Sequence, residues 1–281
     1  MSLAWYPQFT ARSPMFEPLR AAAGELRLPD WPRCADLNRL IAAGGAVTNS
    51  AGRPLQFVEQ PLRQAAFEDG FEPRIFLRGE VQFRHRNWHD LCNALVWLTF
   101  PRAKAALNAR HFHELERQRA SGAQNRGAAQ DALTLFDEGG VIVVTADPVL
   151  GTLLTGHEWK KLFWRQRARI DAHMRFYLFG HALYEKALQP FAGITGRGVL
   201  FEMPQEFFAL PLARQLDDLD SRLAACIADP ARLVATRELA AVPLLGIPGW
   251  CGDNERAEYY DNAAYFRPLR GAARLPVPGR R

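Results

Sequence analysis

Residues 130–150, QDALTLFDEGGVIVVTADPVL, decide the fold class. A helix is expected over Ala128–Glu138, closed by Gly139 and Gly140. The run VIVV inside VIVVTA (141–146) is apolar without alternation, as in a buried strand. Asp147 then offers an N-cap, and Pro148 suits the first turn of a further helix. Helix and strand therefore succeed one another closely.

Outward from this stretch the pattern stays mixed. Residues 15–43 read as two short helices, the second closed by Gly44 and Gly45. AVTNSAGRPLQFVEQ (46–60) reads as a hairpin turning at Asn49 and Gly52, and RIFLRGEVQFRH (74–85) as a strand through Val81, Phe83 and His85. Helices are expected at Trp88–Phe100, from Pro101 to about Arg119, at His157–Ile170 and at His181–Leu188, with a strand at 174–179. Leu216, Leu219, Leu223, Cys226 and Ile227 mark one more amphipathic helix, with Asp217, Asp218 and Asp220 on its wet side. Strands and helices alternate without the βαβ period of a doubly wound sheet, and no repeat or linker divides them. The expectation is one helix-rich, mixed α+β domain with short strands over residues 1–267, followed by a basic tail at 268–281.

Composition limits the function classes. A chain of 281 residues that is 48% hydrophobic is not disordered, and it needs neither metal nor disulfide merely to fold. The net charge of +5 equals the five arginines (267, 270, 274, 280 and 281) that lie after Asp261, the last acid, so the body is neutral. That balance weakens a nucleic-acid reading. Cys34, Cys92, Cys226 and Cys251 form no Cys-x-x-Cys pair, and Cys92 and Cys226 read as small buried hydrophobes. Neither a signal peptide nor a membrane span is expected, and a reducing cytoplasm fits the cysteines.

Three strings could carry chemistry. In RNWHDLCNALVWLTF (86–100), Asn87 and Asp90 have the spacing of a capping box, and Asn93 stands almost alone in an apolar helix. A buried amide without partners costs about 1–3 kcal/mol, so His89 and Asp90, one turn back, are expected to satisfy it. In FGHALYEKAL (179–188), Gly180 permits a tight turn and His181 opens a helix, where the dipole favours a neutral ring. Glu185 follows at i+4 and could share a metal with His181 or orient it. In QDALTLFDEGG (130–140), Asp131, Thr134 and Glu138 share a face. Asp137 and Glu138 sit at the negative end of their helix, which asks for a cation there, more readily an arginine than a metal.

Other candidates are weaker. His111 and His113 point apart on a helix, and the Glu158-x-Lys160 string opens a helix rather than sitting on a strand. Lys161, Arg165 and Arg169 form a basic stripe beside aromatics that could meet RNA, or simply solvate a helix. No Walker loop, GxGxxG, GxSxG or His-Glu-x-x-His is present.

The strings at 87–111, 130–140 and 179–186, with GIPGW (246–250) and YYDNAAYFRP (259–268), resemble a proteobacterial family known only as a domain of unknown function. The resemblance implies a bacterial origin and a single family domain. It supplies no activity, cofactor or catalytic residue.

The function expected from the residues is a hydrolase-type enzyme built on a His/carboxylate centre. His89, Asp90, His181 and Glu185 are its catalytic or metal-ligating candidates, and Asn93, Asp131 and Glu138 its substrate-binding candidates. One divalent metal ion, of open identity, or metal-free acid–base work would serve equally, on a small or peptide-like substrate. The alternatives are nucleic-acid binding through Lys161, Arg165, Arg169 and the tail arginines, or partner docking through Trp250, Tyr259, Tyr260, Tyr265 and Phe266. The geometric expectation is that His89 and His181 share one cluster, with imidazoles within about 10 Å and a carboxylate beside them.

Overall fold

A computed structural model describes residues 3–26, 28–61, 66–122 and 125–269. Helix α1 (Arg20–Gly24) continues a 3-10 segment at Pro14–Leu19, and α2 spans Cys34–Gly44. Strand β1 (Gln56–Glu59), helix α3 (Phe71–Arg78) and strand β2 (Glu80–Phe83) follow. Helices α4 (Trp88–Thr99), α5 (Pro101–Ser121) and α6 (Ala128–Gly139) lead into β3 (Gly140–Thr145). The chain continues through α7 (Pro148–Thr155), α8 (Arg167–His173), β4 (Met174–Leu178) and α9 (His181–Ala187). It ends with β5 (Thr195–Glu202), α10 (Leu212–Ala228) and β6 (Ala240–Pro243). These elements form a helix-rich, mixed α+β domain with two small sheets.

Strand β3 lies inside the larger sheet, ordered β4-β3-β5-β6. It pairs antiparallel with β4 and parallel with β5, placing Gly140 opposite Arg197. Every residue of β3 is buried, which accounts for its apolar run without alternation. Its partner β5 escapes a sequence reading because Gly196 and Gly198 erase the alternation. Both glycines are required by space. A Cβ at Gly196 would stand 2.3 Å from Val141 Cγ2, and one at Gly198 2.9 Å from Val242 Cγ2.

Several expectations are corrected. The hairpin at 46–60 reduces to a single bridge, Thr48–Pro54, while β1 pairs in parallel with β2, from Gln56–Glu80 to Glu59–Phe83. Helix α3 makes the crossover, so the strand expected at 74–85 begins only at Glu80. Buried Asn49 closes α3 by donating from Nδ2 to the carbonyls of Ile75 (2.6 Å) and Phe76 (2.8 Å). The helix expected at His157–Ile170 is broken. Lys160–Arg165 is a π-helix, the phase changes at Gln166, and His157 has a left-handed backbone, φ 57°.

Asp220 does not face water. It is 1% exposed and accepts the N–H groups of Arg102 (3.1 Å) and Ala103 (2.8 Å), which open α5. Burial pushes its carboxyl above the usual range, while those two donors pull the other way.

At the other end of the chain, Trp88 is clamped by the N-terminal segment. Its indole N–H donates to the Leu3 carbonyl (3.0 Å), and its ring packs against Trp5 and Trp31. Cys92 is fully buried, Cys226 only partly, and all four cysteines are free. Among the described residues, no helix is long and apolar enough to cross a membrane.

Candidate metal centre

Three helix ends converge beside β3. Asn87 caps α4 by accepting the Asp90 N–H (2.9 Å), which sets His89 in the first turn. His181 opens α9, and Asp137 and Glu138 close α6. Gly180 brings α9 to α6. Its φ of −61° is ordinary, so the glycine serves close approach rather than a special turn. A Cβ there would lie 2.4 Å from Gly140 N, 2.5 Å from Glu138 O and 2.6 Å from Gly139 N. The N–H groups of Phe179 and Gly180 both donate to the Gly140 carbonyl at 2.9 Å, locking that junction.

His89 and His181 meet, their Nε2 atoms 2.9 Å apart and their ring centroids 4.4 Å apart. Glu185 reaches across to His89, not to its own helix neighbour His181: its Oε2 lies 3.0 Å from His89 Nδ1. A proton on Nδ1 would satisfy that contact and turn the Nε2 lone pair toward His181. His181 Nδ1 is buried without a hydrogen-bond partner and faces Asp137 Oδ1 at 3.8 Å. Glu138 Oε1 stands 3.6 Å from His181 Nε2. One ligand atom each from His89, Glu138 and His181 lie within 4.8 Å of one another.

The cation beside Asp137 is a lysine rather than an arginine: Lys104, 3% exposed, whose Nζ lies 2.5 Å from Asp137 Oδ1. Burial opposes ionisation of Asp137, yet the Lys104 ammonium and the His181 ring outweigh it and hold the carboxyl well below its usual range.

His89, Asp137, Glu138 and His181 line a cavity of about 330 Å³ with Arg84, Asn93, His111, Arg126, Gln130 and Thr134. The sequence candidates divide there. Asp90 lines the cavity, but its carboxylate is taken by Arg84, whose Nε and Nη2 donate at 2.9 and 2.7 Å; the Arg84 backbone N–H donates as well, at 2.7 Å. The reciprocal half of the capping box, from Asp90 back to Asn87, is thereby replaced. The Asn93 Oδ1 is buried with no partner, so the expected network through His89 and Asp90 is not made. Asp131 is exposed, and Gln130 and Thr134 take the wall instead.

Lys104 has no place among the sequence candidates, and His111 enters them only as half of a discounted pair with His113. The signal was present: Lys104, Asn108 and His111 recur at i, i+4, i+7 on one helix, and all three are buried. His111 turns inward while His113 pairs with Glu116 at the surface, as their spacing requires.

The rival surfaces are largely occupied. Lys161 pairs with Glu158 (3.0 Å), and Arg169 with Asp147. Tyr260, Tyr265 and Phe266 are buried in the chain's own core, with Trp250 and Tyr259 packed against it. The Tyr265 hydroxyl donates to Ile194 O (2.8 Å) and accepts from Leu245 N–H (2.9 Å). The Arg267 carbonyl accepts the Trp159 indole N–H (2.7 Å), so Arg267 is anchored to the body; residues 270–281 lie outside the described residues.

Fold and site together define an α+β domain with a histidine–carboxylate cavity where three helices end. The chain belongs to a family described as "Protein of unknown function (DUF3025)", whose profile matches residues 55–270 and so includes His89, Glu138 and His181. No curated protein and no solved structure matches the chain.

Proposed function

We propose that the chain is a hydrolase-type enzyme in which His89, His181 and Glu138 hold one divalent cation of the zinc class. One observation carries the reading: two imidazoles present Nε2 to each other at 2.9 Å while each Nδ1 faces a carboxylate, Glu185 or Asp137. Were both rings protonated on Nδ1, toward the carboxylates, two Nε2 lone pairs would converge, and a cation would relieve their repulsion. Two histidines and one glutamate with a position left for water is a ligand set of catalytic zinc. The Glu138 side chain is 44% exposed and that of His89 32%, so the centre opens toward solvent. A bound cation would lower the pKa of its water and supply a nucleophile near neutrality. The cavity suits a small substrate, with the Asn93 Oδ1 left to accept a donor from it.

The test is zinc titration of chelator-treated protein by calorimetry. One equivalent is expected to bind to the wild type, and His89→Ala or His181→Ala should weaken binding more than about a hundredfold, beyond the loss typical of outer partners. Loss of p-nitrophenyl ester or phosphoester hydrolysis should follow the metal. A wild-type chain that binds neither zinc, manganese nor cobalt overturns the metal reading. It would leave a proton shared between the two rings, which the 2.9 Å separation also permits.

A further inference from the structure

A second cavity, of about 570 Å³, lies on the β5–β6 side of the sheet. Thr195 and Arg197 of β5 face it together with their cross-strand partners Pro243 and Ala241. His157, Trp159, Tyr265 and Arg267 complete most of its wall. We propose that this cavity is a binding site for a small molecule carrying an oxyanion, carboxylate or phosphate, on a flat apolar body.

Three observations support the assignment. First, the charge is one-sided: Arg197 and Arg267 line the cavity, and among the described residues no carboxylate does. A guanidinium left without an acid is suited to bidentate capture of an oxyanion. Second, the aromatic hydrogen-bonding groups are already used. The Trp159 N–H donates to Arg267 O, and the Tyr265 hydroxyl is bound to Ile194 and Leu245, so these residues offer apolar ring surface. Third, His157 is held with a left-handed backbone, φ 57°, and its Nδ1 is buried without a partner at the cavity wall. Strain of this kind in a non-glycine residue persists where the surroundings enforce it, and it clusters at ligand sites. The volume falls in the range of small-molecule pockets.

Phenyl phosphate and phenylacetate distinguish the two oxyanions. Each is titrated into chelator-treated His181→Ala protein, so that neither probe can report the histidine centre, with tryptophan fluorescence and calorimetry as readouts. Saturable binding of at least one probe is expected, tighter than that of inorganic phosphate. Arg197→Gln and Arg267→Gln should each weaken it by about tenfold, the usual consequence of losing a hydrogen bond to a charged group. Arg267 lies outside the sheet, so its variant remains informative if Arg197→Gln fails to fold. If neither probe saturates, or if both arginine variants bind unchanged, the proposal fails.

Discussion

The two cavities both draw on the junction between α6 and β3, and that junction gives them side chains of opposite charge. The histidine cavity receives Asp137 and Glu138 from the end of α6. The second receives Arg197, whose β5 position pairs with Gly140 and whose stem passes Gly139. Around the first, charges are interlocked: Lys104 with Asp137 in the core, Arg84 with Asp90 and Glu185 with His89 nearer the surface. In the second, Arg267 is exposed and Arg197 half-buried. Loss of charge beside the first cavity is therefore expected to cost stability, whereas loss at the second is not.

Variants of the buried pair test this contrast most severely. Lys104→Met leaves Asp137 as an uncompensated buried carboxylate, and we expect a loss of about 3–5 kcal/mol in denaturant unfolding. Arg267→Gln should stay within about 0.5 kcal/mol of wild type. The pH dependence has a fixed sign. Because the Asp137 carboxyl is held low in the folded chain, its contribution is complete above about pH 4, the unfolded value, and fades as pH falls toward the folded value. Asp137→Asn should flatten that acid limb. Equal effects at both cavities would erase the distinction.

Next in size is Gly180→Ala. Its Cβ would meet backbone atoms, which yield little, so a loss of about 3 kcal/mol is expected, at the upper end of overpacking. Zinc binding should fall with it, because α9 can no longer seat His181 against α6. A well-folded Gly180→Ala protein that binds zinc normally would show that the junction does not set the site.

Glu185→Gln isolates orientation from ligation. The glutamine cannot hold His89 Nδ1 as a carboxylate does, and zinc affinity should drop about 10–100-fold while the fold persists. The smallest contrast concerns helix α10. Asp220→Ala removes the acceptor for two N–H groups of α5, for about 1–2 kcal/mol, whereas Asp218→Ala, at a half-buried position where only the i,i+4 pair with Arg222 is lost, should lie within about 0.5 kcal/mol of wild type. Thermal unfolding of the pair resolves the difference.

Much of the helical scaffold was legible because each element carries its own signal. Asn87 and Asp147 cap as their residue types require, and β3 is a bare apolar run. The parallel pairs β1–β2 and β3–β5 were not legible. Parallel pairing is decided by distant chain, and β5 trades side chains for glycine to admit Val141 and Val242. The site divides in the same way. A histidine at a helix start with a polar residue one turn on marked His89 and His181. The partner of each was set by tertiary packing: Glu185 serves His89, Arg84 claims Asp90, and Asp220, read as wet, supports another helix.

The parallel pairing of β3 with β5 has a kinetic consequence. Strand β3 ends at Thr145 and β5 begins at Thr195, and the intervening chain supplies β4 on the opposite edge of β3 as well as α9 with His181. A parallel pair closed across such a loop is slow to form, because the loop entropy is lost before the contacts are gained. During synthesis β3 must therefore wait, apolar and unpaired, for β4 and β5 to emerge. Until then VIVV stays open to misassociation, and the meeting of His89 with His181 likewise waits for chain that follows β3.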